Sequence, residues 1–369
     1  MSDCTDCTVG VEEEFHLVDA GTGALRESAK DVLAARRHHS DEAEPELLAS
    51  QVELVTPVCS SLTELREQLV RQRRELAASA ATVGCRLLSS GTYPLSYRAP
   101  EVTSERRYEE IAGRFGTIAR MQVVCGCHVH VHVGDPDLAV AVMNQVRPWL
   151  PVLLALTANS PFWQGRDTGY ASFRAQVWSQ WPSSGTLGVF ASHREYEKVM
   201  RSLVDAGVLR DLGMLYWDVR PSQRFDTLEF RIADACLSVD ESVLLACLCR
   251  ALTHTGVESV RAGRPPGDVA PELLRAARWR AARSGLGADL VDLPVGRPAP
   301  AQAVVGRLLD HVGPALDAHG DRDRAAALVA GVLAKGNGAQ RQRAALRGTG
   351  ALEAVLDFVL RETTPGDGA

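Results

Sequence analysis

The sequence predicts an α+β fold with a largely antiparallel sheet. Short stretches in which apolar and polar residues alternate are joined by turns as often as by helices, and no eightfold alternation of strands and helices runs along the chain. From Asp240 onward the pattern is mostly helical and rich in Ala and Arg. We expect a single domain over 1–369, with 240–365 as its mostly helical part and disorder at 1–7 and 364–369.

The first hundred residues supply three strands and one long helix. "TVGVEEEFHL" (8–17) alternates as a half-buried strand does, and the Gly-rich "DAGTGAL" after it predicts a turn. "SQVELVTP" (50–57) predicts a second strand. A helix is predicted over 61–84, because an N-capping Ser or Thr precedes apolar residues at helical spacing and a Gly ends them. "CRLLSSGTYPL" (85–95) predicts a strand that runs into a loop.

The middle of the chain mixes both kinds of element. "RYEEIAGRFGTIARMQ" (107–122) predicts a helix, and "VVCGCHVHVHVGDP" (123–136) predicts a strand that ends at a turn. Asp135 is expected to cap a long helix that runs to about Ala158. "LYWDVRPSQRFDTLEFRIAD" (215–234) predicts two short strands around a polar turn.

Composition excludes several classes of protein. A net charge of −6 argues against a general nucleic-acid binder. No uninterrupted apolar run reaches the roughly 18–20 residues of a membrane span, and the polar start "MSDCTDC" is not a signal peptide. Most of the nine cysteines lie in apolar segments, so we interpret them as reduced thiols of a cytoplasmic protein. Cys4 and Cys7 are either half of a zinc or redox site or part of an inert tail.

The first predicted strand carries three consecutive carboxylates. Successive side chains of a strand point to opposite faces, so Glu12, Glu14 and His16 share one face. Glu13 lies on the other face with the apolar residues. Neighbouring carboxylates repel each other, and such pairs are uncommon in a sheet unless a cation or a solvated edge relieves the repulsion.

A histidine-rich strand is the most informative segment. His128, His130 and His132 share one face, and the opposite face has valines and the thiols Cys125 and Cys127. One interpretation is an exposed polar face; the other is that one or two of the imidazoles bind a metal ion. The two cysteines are expected to be core thiols, because a Cys/His zinc site would need ligands from both faces of the strand.

Other acidic residues lie among apolar neighbours. Glu53 is either a solvent-facing strand residue or part of a site, and a plain strand ion pair would also explain Glu229 beside Arg231. If one sheet face collects these carboxylates, it requires cations, and carboxylate ligands favour Mg²⁺ or Mn²⁺. The candidate metal ligands are Glu12, Glu14, Glu46, Glu53, His128 and Glu229.

Several metal ions in one carboxylate site favour phosphate chemistry, because such ions bridge phosphate oxygens and neutralise charge during transfer. Arg174, Arg220 and Arg231 are candidates to hold phosphate or carboxylate groups by paired hydrogen bonds. The sequence has no GxxxxGK[ST] motif and no GxGxxG between a strand and a helix. If ATP is used, it must be bound in another manner.

Seven segments, in the same order over roughly 8–345, resemble the YbdK-type carboxylate–amine ligases, the type 2 glutamate–cysteine ligase family. They are "TVGVEEEFHLVD", "ELLASQVELVTPVC", "SSGTYPL", "RYEEIAGRFG", "CGCHVHVHVGD", "TANSPFWQGRDTGYASFRAQVWSQWP" and "NGAQRQR". The resemblance implies a glutamine-synthetase-like fold, in which a curved, largely antiparallel sheet forms a catalytic funnel with helices packed outside. It also implies ATP-dependent amide formation through an acyl phosphate.

Carried over by position, the resemblance implies roles for individual residues. His130 would lie near the nucleotide and Arg231 would face the phosphates, while Arg174 would clamp the substrate carboxylate. The six candidate metal ligands match the family's metal-binding positions. No role follows for His16 or His132.

The expected reaction joins a small-molecule acid, such as glutamate through its γ-carboxylate, to an amine such as cysteine. ATP and Mg²⁺ or Mn²⁺ are the expected cofactors, a homodimer or larger homo-oligomer is the expected assembly, and neither nucleic acid nor membrane is an expected partner. Two alternatives stay open: a metal-dependent hydrolase that uses the His-x-His pair, and a non-catalytic member of the same fold. The segment from Asn337 to Arg343 either reaches back to the site or begins a solvated helix.

Overall fold

The computed structural model describes residues 7–36, 42–186 and 188–364. Apart from Cys7 and Thr364, the segments expected to be disordered lie outside these residues. The strands are β1 (Val9–Asp19), β2 (Ala43–Pro45), β3 (Gln51–Val55), β4 (Cys85–Leu88), β5 (Gly126–His132), β6 (Phe162–Trp163), β7 (Arg166–Asp167), β8 (Ser184–Gly185), β9 (Tyr216–Trp217), β10 (Val219–Pro221), β11 (Thr227–Asp234), β12 (Leu290–Asp292) and β13 (Arg297–Ala299).

The α-helices follow the same chain order. They are α1 (Ala29–Ala34), α2 (Leu62–Thr82), α3 (Arg106–Phe115), α4 (Thr117–Arg120), α5 (Pro136–Val146), α6 (Leu150–Thr157), α7 (Arg174–Trp178), α8 (His193–Asp205), α9 (Val239–Arg261), α10 (Pro271–Ser284), α11 (Ala301–Ala318), α12 (Arg322–Lys335), α13 (Gly338–Thr349) and α14 (Leu352–Thr363). Two short 3₁₀ turns lie at Arg147–Trp149 and Leu212–Met214.

Seven strands form one open sheet in which β1 is central. The order is β10-β11-β5-β1-β3-β2, with β4 also paired to β1, and every pairing is antiparallel. One edge of β1 pairs with β3; the other pairs with β5 along its first half and with β4 along its second. Within the described residues these strands do not close into a barrel. The predicted α+β fold with a largely antiparallel sheet is therefore confirmed.

Helices cover the apolar face of this sheet. Val9 and Val11 of β1 and Val129 of β5 lie in one core with apolar residues of α5, α6 and α9. The α5–α6 run (Pro136–Thr157) and α9 are long and apolar enough to cross a membrane, but 78% of each apolar window is buried inside the fold. Burial accounts for their apolar composition, since core helices are apolar all round. The opposite face of the sheet keeps its polar side chains.

Glu13 shows what the apolar face requires of a carboxylate. Its two oxygens accept hydrogen bonds from Nε and Nη2 of Arg73 in α2, at 2.8 and 2.7 Å. Arg73 is 0% and Glu13 2% exposed. Arg73 also donates to the carbonyl of Thr363 at 2.9 Å, and Ser242 of α9 donates to Glu13. This closed network connects β1, α2, α9 and α14.

Two predicted helices are each divided in the structure. The helix expected over 107–122 ends at Phe115 and resumes at Thr117, because Gly116 adopts φ +56°, a backbone conformation that a helix does not continue through. The cap at Asp135 is confirmed, since its side chain accepts the amide of Leu138 at 2.7 Å. That helix is interrupted by the 3₁₀ turn around Pro148, which has no amide hydrogen to donate.

Smaller departures concern loops and cysteines. The short strand β2 precedes the second predicted strand, and the strand predicted to begin at Cys85 ends at Leu88. Leu25, after the Gly-rich turn, makes only an isolated bridge to Val18. Seven of the described cysteines are free and buried, but Cys7 is disulfide-bonded, so the prediction of reduced thiols is wrong for that residue. Cys4 lies outside the described residues.

Candidate active site

The polar face of the sheet forms the floor of a cleft of about 480 Å³. Side chains from six segments that are distant in sequence line it. Nine of the ten predicted site residues are among them: Glu12, Glu14, Glu46, Glu53, His128, His130, Arg220, Glu229 and Arg231.

Strand register explains why these side chains meet. Glu14 of β1 pairs directly with Glu53 of β3, and Glu12 pairs directly with His128 of β5. Residues directly opposite each other in an antiparallel pair project from the same face. The same rule places Glu229 of β11 beside His130 and beside Arg220 of β10. Alternation along each strand, together with this register, concentrates the charge on one face.

Three overlapping groups in the cleft have the geometry to bind a cation. Each group offers one ligand atom per residue, and these atoms lie within 4.8 Å of one another. Glu12 and Glu53 each belong to two groups, so the groups share carboxylates as the bridged sites of adjacent ions do. The groups are Glu12, His130 and Glu229; Glu12, Glu53 and His128; and Glu14, Glu46 and Glu53.

Burial and mutual repulsion disfavour the charged form of two of these carboxyl groups. Burial, followed by the charge of Glu14, raises the pKa of Glu46 to about 8. Burial, followed by the charge of Glu12, raises the pKa of Glu53 well above its usual range. Without a cation, this part of the cleft therefore retains protons at neutral pH. Bound divalent ions would relieve the same repulsion.

The histidines interact mainly with Glu12. Nδ1 of His128 and Nε2 of His130 each lie 3.1 Å from a Glu12 oxygen. Burial alone would raise the pKa of Glu12, but these two contacts outweigh it and hold that pKa well below its usual range. Nε2 of His128 is buried, has no hydrogen-bond partner among the described residues and lies 3.6 Å from a Glu14 oxygen. An unpaired nitrogen beside carboxylates fits a metal ligand.

Glu229 differs from the other carboxylates because two arginines already contact it. Arg220 binds both of its oxygens, through Nε at 2.7 Å and Nη2 at 3.2 Å, and Arg231 contacts one of them. Although burial opposes it, the charges of Arg231 and Arg220 hold the pKa of Glu229 below its usual range. Nε of Arg231 has no partner. This end of the cleft therefore combines one carboxylate with two guanidinium groups.

Arg174 is the predicted site residue that does not line the cleft. It is 2% exposed, and its guanidinium lies over Trp178, 5.2 Å from the ring centre, while Nη2 donates to the carbonyl of Arg231 at 3.4 Å. Gly126 makes room for it, because a Cβ atom there would lie 2.3 Å from Nη2 of Arg174 and 3.1 Å from Nε2 of His128. The arginine is thus buried over Gly126, on the face of β5 that carries His128, but it is not part of the lining of the cleft.

Other polar motifs lie outside the cleft. His16 is fully buried, and burial lowers its pKa to about 3, although a contact with the backbone of Ser90 opposes this shift. His132 is exposed at the end of β5. Asn337 caps α13 and donates to the carbonyl of Ala155 at 2.8 Å. Arg343 pairs with Asp167 of β7 at 2.6 Å, so the Asn337–Arg343 segment contacts α6 and β7 and does not line the cleft.

The cleft also contains residues that sequence reasoning missed. Glu44 lies opposite Glu53 across β2 and β3, and its alternation with Glu46 in "EAEPE" was the available signal. No comparable sequence signal identifies the aromatic residues that line the cleft, because aromatic residues at these spacings are equally typical of a hydrophobic core. The additional lining residues include Glu44, Arg107, Tyr108, Gln122, Trp178, Trp181, Tyr216 and Phe225.

The family model of glutamate–cysteine ligase family 2 (GCS2) matches residues 8–357. The chain belongs to this family. A protein of Frankia alni named "Putative glutamate--cysteine ligase 2-2" is 48% identical over 97% of both chains. A Streptomyces coelicolor protein named "Putative glutamate--cysteine ligase 2" is 44% identical over 96% of this chain and 99% of its own. Membership makes the chain an ATP-dependent carbon–nitrogen ligase.

Solved structures confirm the fold independently of close sequence similarity. The glutamate–cysteine ligase of Francisella tularensis, in complex with AMP, superposes with a TM-score of 0.69 over 98% of this chain and 90% of its own, at 13% identity. The expected glutamine-synthetase-like ligase fold is therefore confirmed. ATP use follows from the family, whereas the roles of individual residues depend on the geometry above.

Proposed function

We propose that this ligase phosphorylates a substrate carboxylate, such as the γ-carboxylate of glutamate, and then joins it to an amine, such as that of cysteine. One observation carries the proposal: three overlapping carboxylate–imidazole groups lie in one cleft, bordered by Arg220 and Arg231. Such an arrangement suits the triphosphate of a nucleotide. It does not resemble a zinc hydrolase site, in which histidines would predominate.

Six side chains would hold the divalent ions: Glu12, Glu14, Glu46, Glu53, His128 and Glu229. Oxygen-rich ligands and an unpaired imidazole nitrogen fit Mg²⁺ or Mn²⁺. Such ions, when bound, neutralise phosphate charge and increase the electrophilicity of phosphorus. His130 lies at the same floor and contacts Phe225 edge-to-face, with ring centres 5.8 Å apart, which suits a place beside the nucleotide.

The protein's own contribution is position and charge. A carboxylate oxygen of the acid attacks the γ-phosphorus of ATP, ADP leaves, and a mixed anhydride of carboxylate and phosphate remains. The amine nitrogen then attacks the acyl carbon; the C–N bond forms, the C–O bond to phosphate breaks, and the nitrogen loses a proton. Arg231 and Arg220 stabilise the transferred phosphoryl group, because both guanidinium groups border the carboxylate cluster.

Arg174 takes a different part in this proposal from the substrate clamp expected from the sequence. Because its side chain is buried beside His128, we assign it to positioning: it supports His128 and the strand that carries Arg231. Its positive charge also raises the potential of the cleft floor.

The remaining expectations belong to the same proposal. Both substrates are small molecules, the enzyme acts in the cytoplasm where ATP and amino acids are abundant, and its partner in assembly is a second copy of itself. Neither nucleic acid nor membrane takes part, which the net charge of −6 and the buried apolar helices support.

The proposal can be tested by product analysis. The protein is incubated with Mg²⁺-ATP and pooled amino acids and small amines, and ADP and new amide masses are measured together. Hydroxylamine in place of the amine should give a hydroxamate of the acid if an acyl phosphate forms. Zn²⁺-dependent hydrolysis without ADP would favour the hydrolase alternative. Stabilisation by Mg²⁺-ATP with no product would indicate a non-catalytic member.

A further inference from the structure

We propose that a basic cavity beside the cleft binds a non-reacting carboxylate on one of the two substrates. The inference deepens the proposed function and rests on it. It assigns a subsite within the same active site. That subsite would require a second carboxylate on one substrate, which the metal-binding groups by themselves do not require.

The cavity has a volume of about 300 Å³ and opens next to the cleft. The two spaces share Arg107 and Ile111 of α3 and also Asp211. The two spaces are therefore adjacent, and Arg107 lies at their boundary. The volume is sufficient for a carboxylate and several carbon atoms, and too small for a folded partner.

The lining of the cavity carries excess positive charge. Four arginines and two carboxylates border it, which leaves an excess of two positive charges. Both carboxylates are already engaged: Glu110 pairs with Arg106 and Arg210, and Asp211 accepts the amide of Gly213 at 2.9 Å. The fourth arginine, Arg114, donates to a backbone carbonyl and has no acidic partner among its hydrogen bonds. An anion entering the cavity would meet uncompensated cations.

Arg107 is the residue best placed to bind that anion. Its side chain is 46% exposed, and Nη1 lies 3.7 Å from Asp211, longer than a hydrogen bond, so its guanidinium donors remain available. The lack of a side chain at Gly213 leaves room for the Arg107 guanidinium, because a Cβ atom there would lie 2.7 Å from Nη2 of Arg107. A guanidinium with free donors at the junction of the two spaces suits a paired contact with a carboxylate.

The chemistry of the reaction determines which group can use this subsite. The reacting carboxylate must lie at the metal groups, and the attacking amine must be uncharged, so neither of them would occupy this second cavity. A second, non-reacting carboxylate would. In glutamate it would be the α-carboxylate, and in cysteine its only carboxylate.

Matched substrate pairs distinguish these two sources. In the amine arm, cysteine is compared with cysteamine, which lacks the carboxylate; in the acid arm, glutamate is compared with 4-aminobutyrate. Two variants alter the Arg107 guanidinium. Arg107→Gln removes its positive charge, whereas Gly213→Ala keeps the charge but displaces the guanidinium. Arg120→Gln is the matched control, because Arg120 is exposed and borders neither space.

We expect the full-length enzyme to prefer the carboxylated member of one pair. Arg107→Gln should reduce that preference in kcat/KM about tenfold, the size of one charge-assisted contact, and Gly213→Ala should reduce it in the same direction. Arg120→Gln should leave it unchanged. Loss of preference in the amine arm assigns the subsite to the amine substrate, and loss in the acid arm assigns it to the acid.

The proposal is overturned if Arg107→Gln leaves both preferences unchanged or lowers kcat/KM equally for both members of each pair. Binding of the four compounds, measured by calorimetry with Mg²⁺ and a non-hydrolysable ATP analogue, provides a readout that needs no turnover. If these compounds bind with the expected preference but no amide forms, the proposed reaction fails and the anion subsite stands.

Discussion

The two faces of β1 differ in whether an arginine neutralises the glutamate carboxylates that they carry. On the covered face, Glu13 is buried with Arg73, and each of its oxygens has a donor. On the cleft face, Glu12 and Glu14 lie beside Glu53, with no arginine bound to any of the three among the described ion pairs. The fold therefore provides an internal cation, Arg73, for the carboxylate that is buried on the covered face. On the open face, we propose that divalent ions from solution take that place.

The largest effect is expected from Glu53→Gln, which removes a carboxylate shared by two of the three groups. Turnover should fall about a thousandfold or more, because the lost charge acts on the phosphoryl transfer itself. The fold should persist, since the substitution also removes repulsion. ADP release and thermal stability with and without Mg²⁺-ATP measure both effects.

Glu44→Gln is the matched control for that variant. Glu44 faces Glu53 across the strand pair and lines the cleft, but it is exposed and belongs to none of the three groups. Near-normal turnover of Glu53→Gln, or an equal loss in both variants, would remove Glu53 from the ligand set.

A substitution on the covered face should lower the stability of the protein rather than act on turnover directly. Arg73→Met leaves Glu13 buried without its cation and should lower the free energy of unfolding by about 3–5 kcal/mol. Adding Glu13→Gln to the Arg73→Met variant should restore part of the lost free energy of unfolding, because the unpaired buried charge is then removed. Denaturant unfolding gives the values, and Mg²⁺-ATP should still stabilise whatever folded protein remains. A double variant less stable than Arg73→Met would contradict the pairing.

A smaller effect on turnover is expected from Gly126→Ala. The added Cβ would lie 2.3 Å from Nη2 of Arg174 and 3.1 Å from Nε2 of His128, so the guanidinium must be displaced. A displacement of about 1 Å in such a support costs about a hundredfold in kcat. Gly113→Ala is the control, because no atom lies within 4 Å of the corresponding position there. Unchanged kcat in Gly126→Ala would show that Arg174 does not position the site.

The smallest effect concerns pH in metal-free protein. The folded pKa of Glu46, about 8, lies above its ordinary value of 4.5, so between these values the folded chain holds more protons than the unfolded chain. The contribution of this group to stability is therefore present below pH 4.5 and is lost as the pH rises toward 8. Mg²⁺ should flatten that slope. Thermal unfolding from pH 5 to 8 tests this, and Glu46→Gln should have a shallower slope without Mg²⁺.

Nine of ten site residues could be predicted to line one cleft because strand alternation is a local property. Once 8–17 is a strand, Glu12 and Glu14 must share a face, and the resemblance extended that reasoning to Glu46 and Glu229. Alternation gives no such guidance for Arg174, because it begins the short helix α7, where the strand rule does not indicate whether a side chain reaches the cleft.

The sequence by itself determined which residue types share a strand face and to which family the chain belongs. Only the tertiary structure decided which of two carboxylates on one strand is neutralised from within, as Glu13 is by Arg73, sixty residues away. It alone also placed Arg107 between two cavities. The physical reason is that alternation follows from backbone geometry over a few residues, whereas the partner of a charge depends on how distant segments pack.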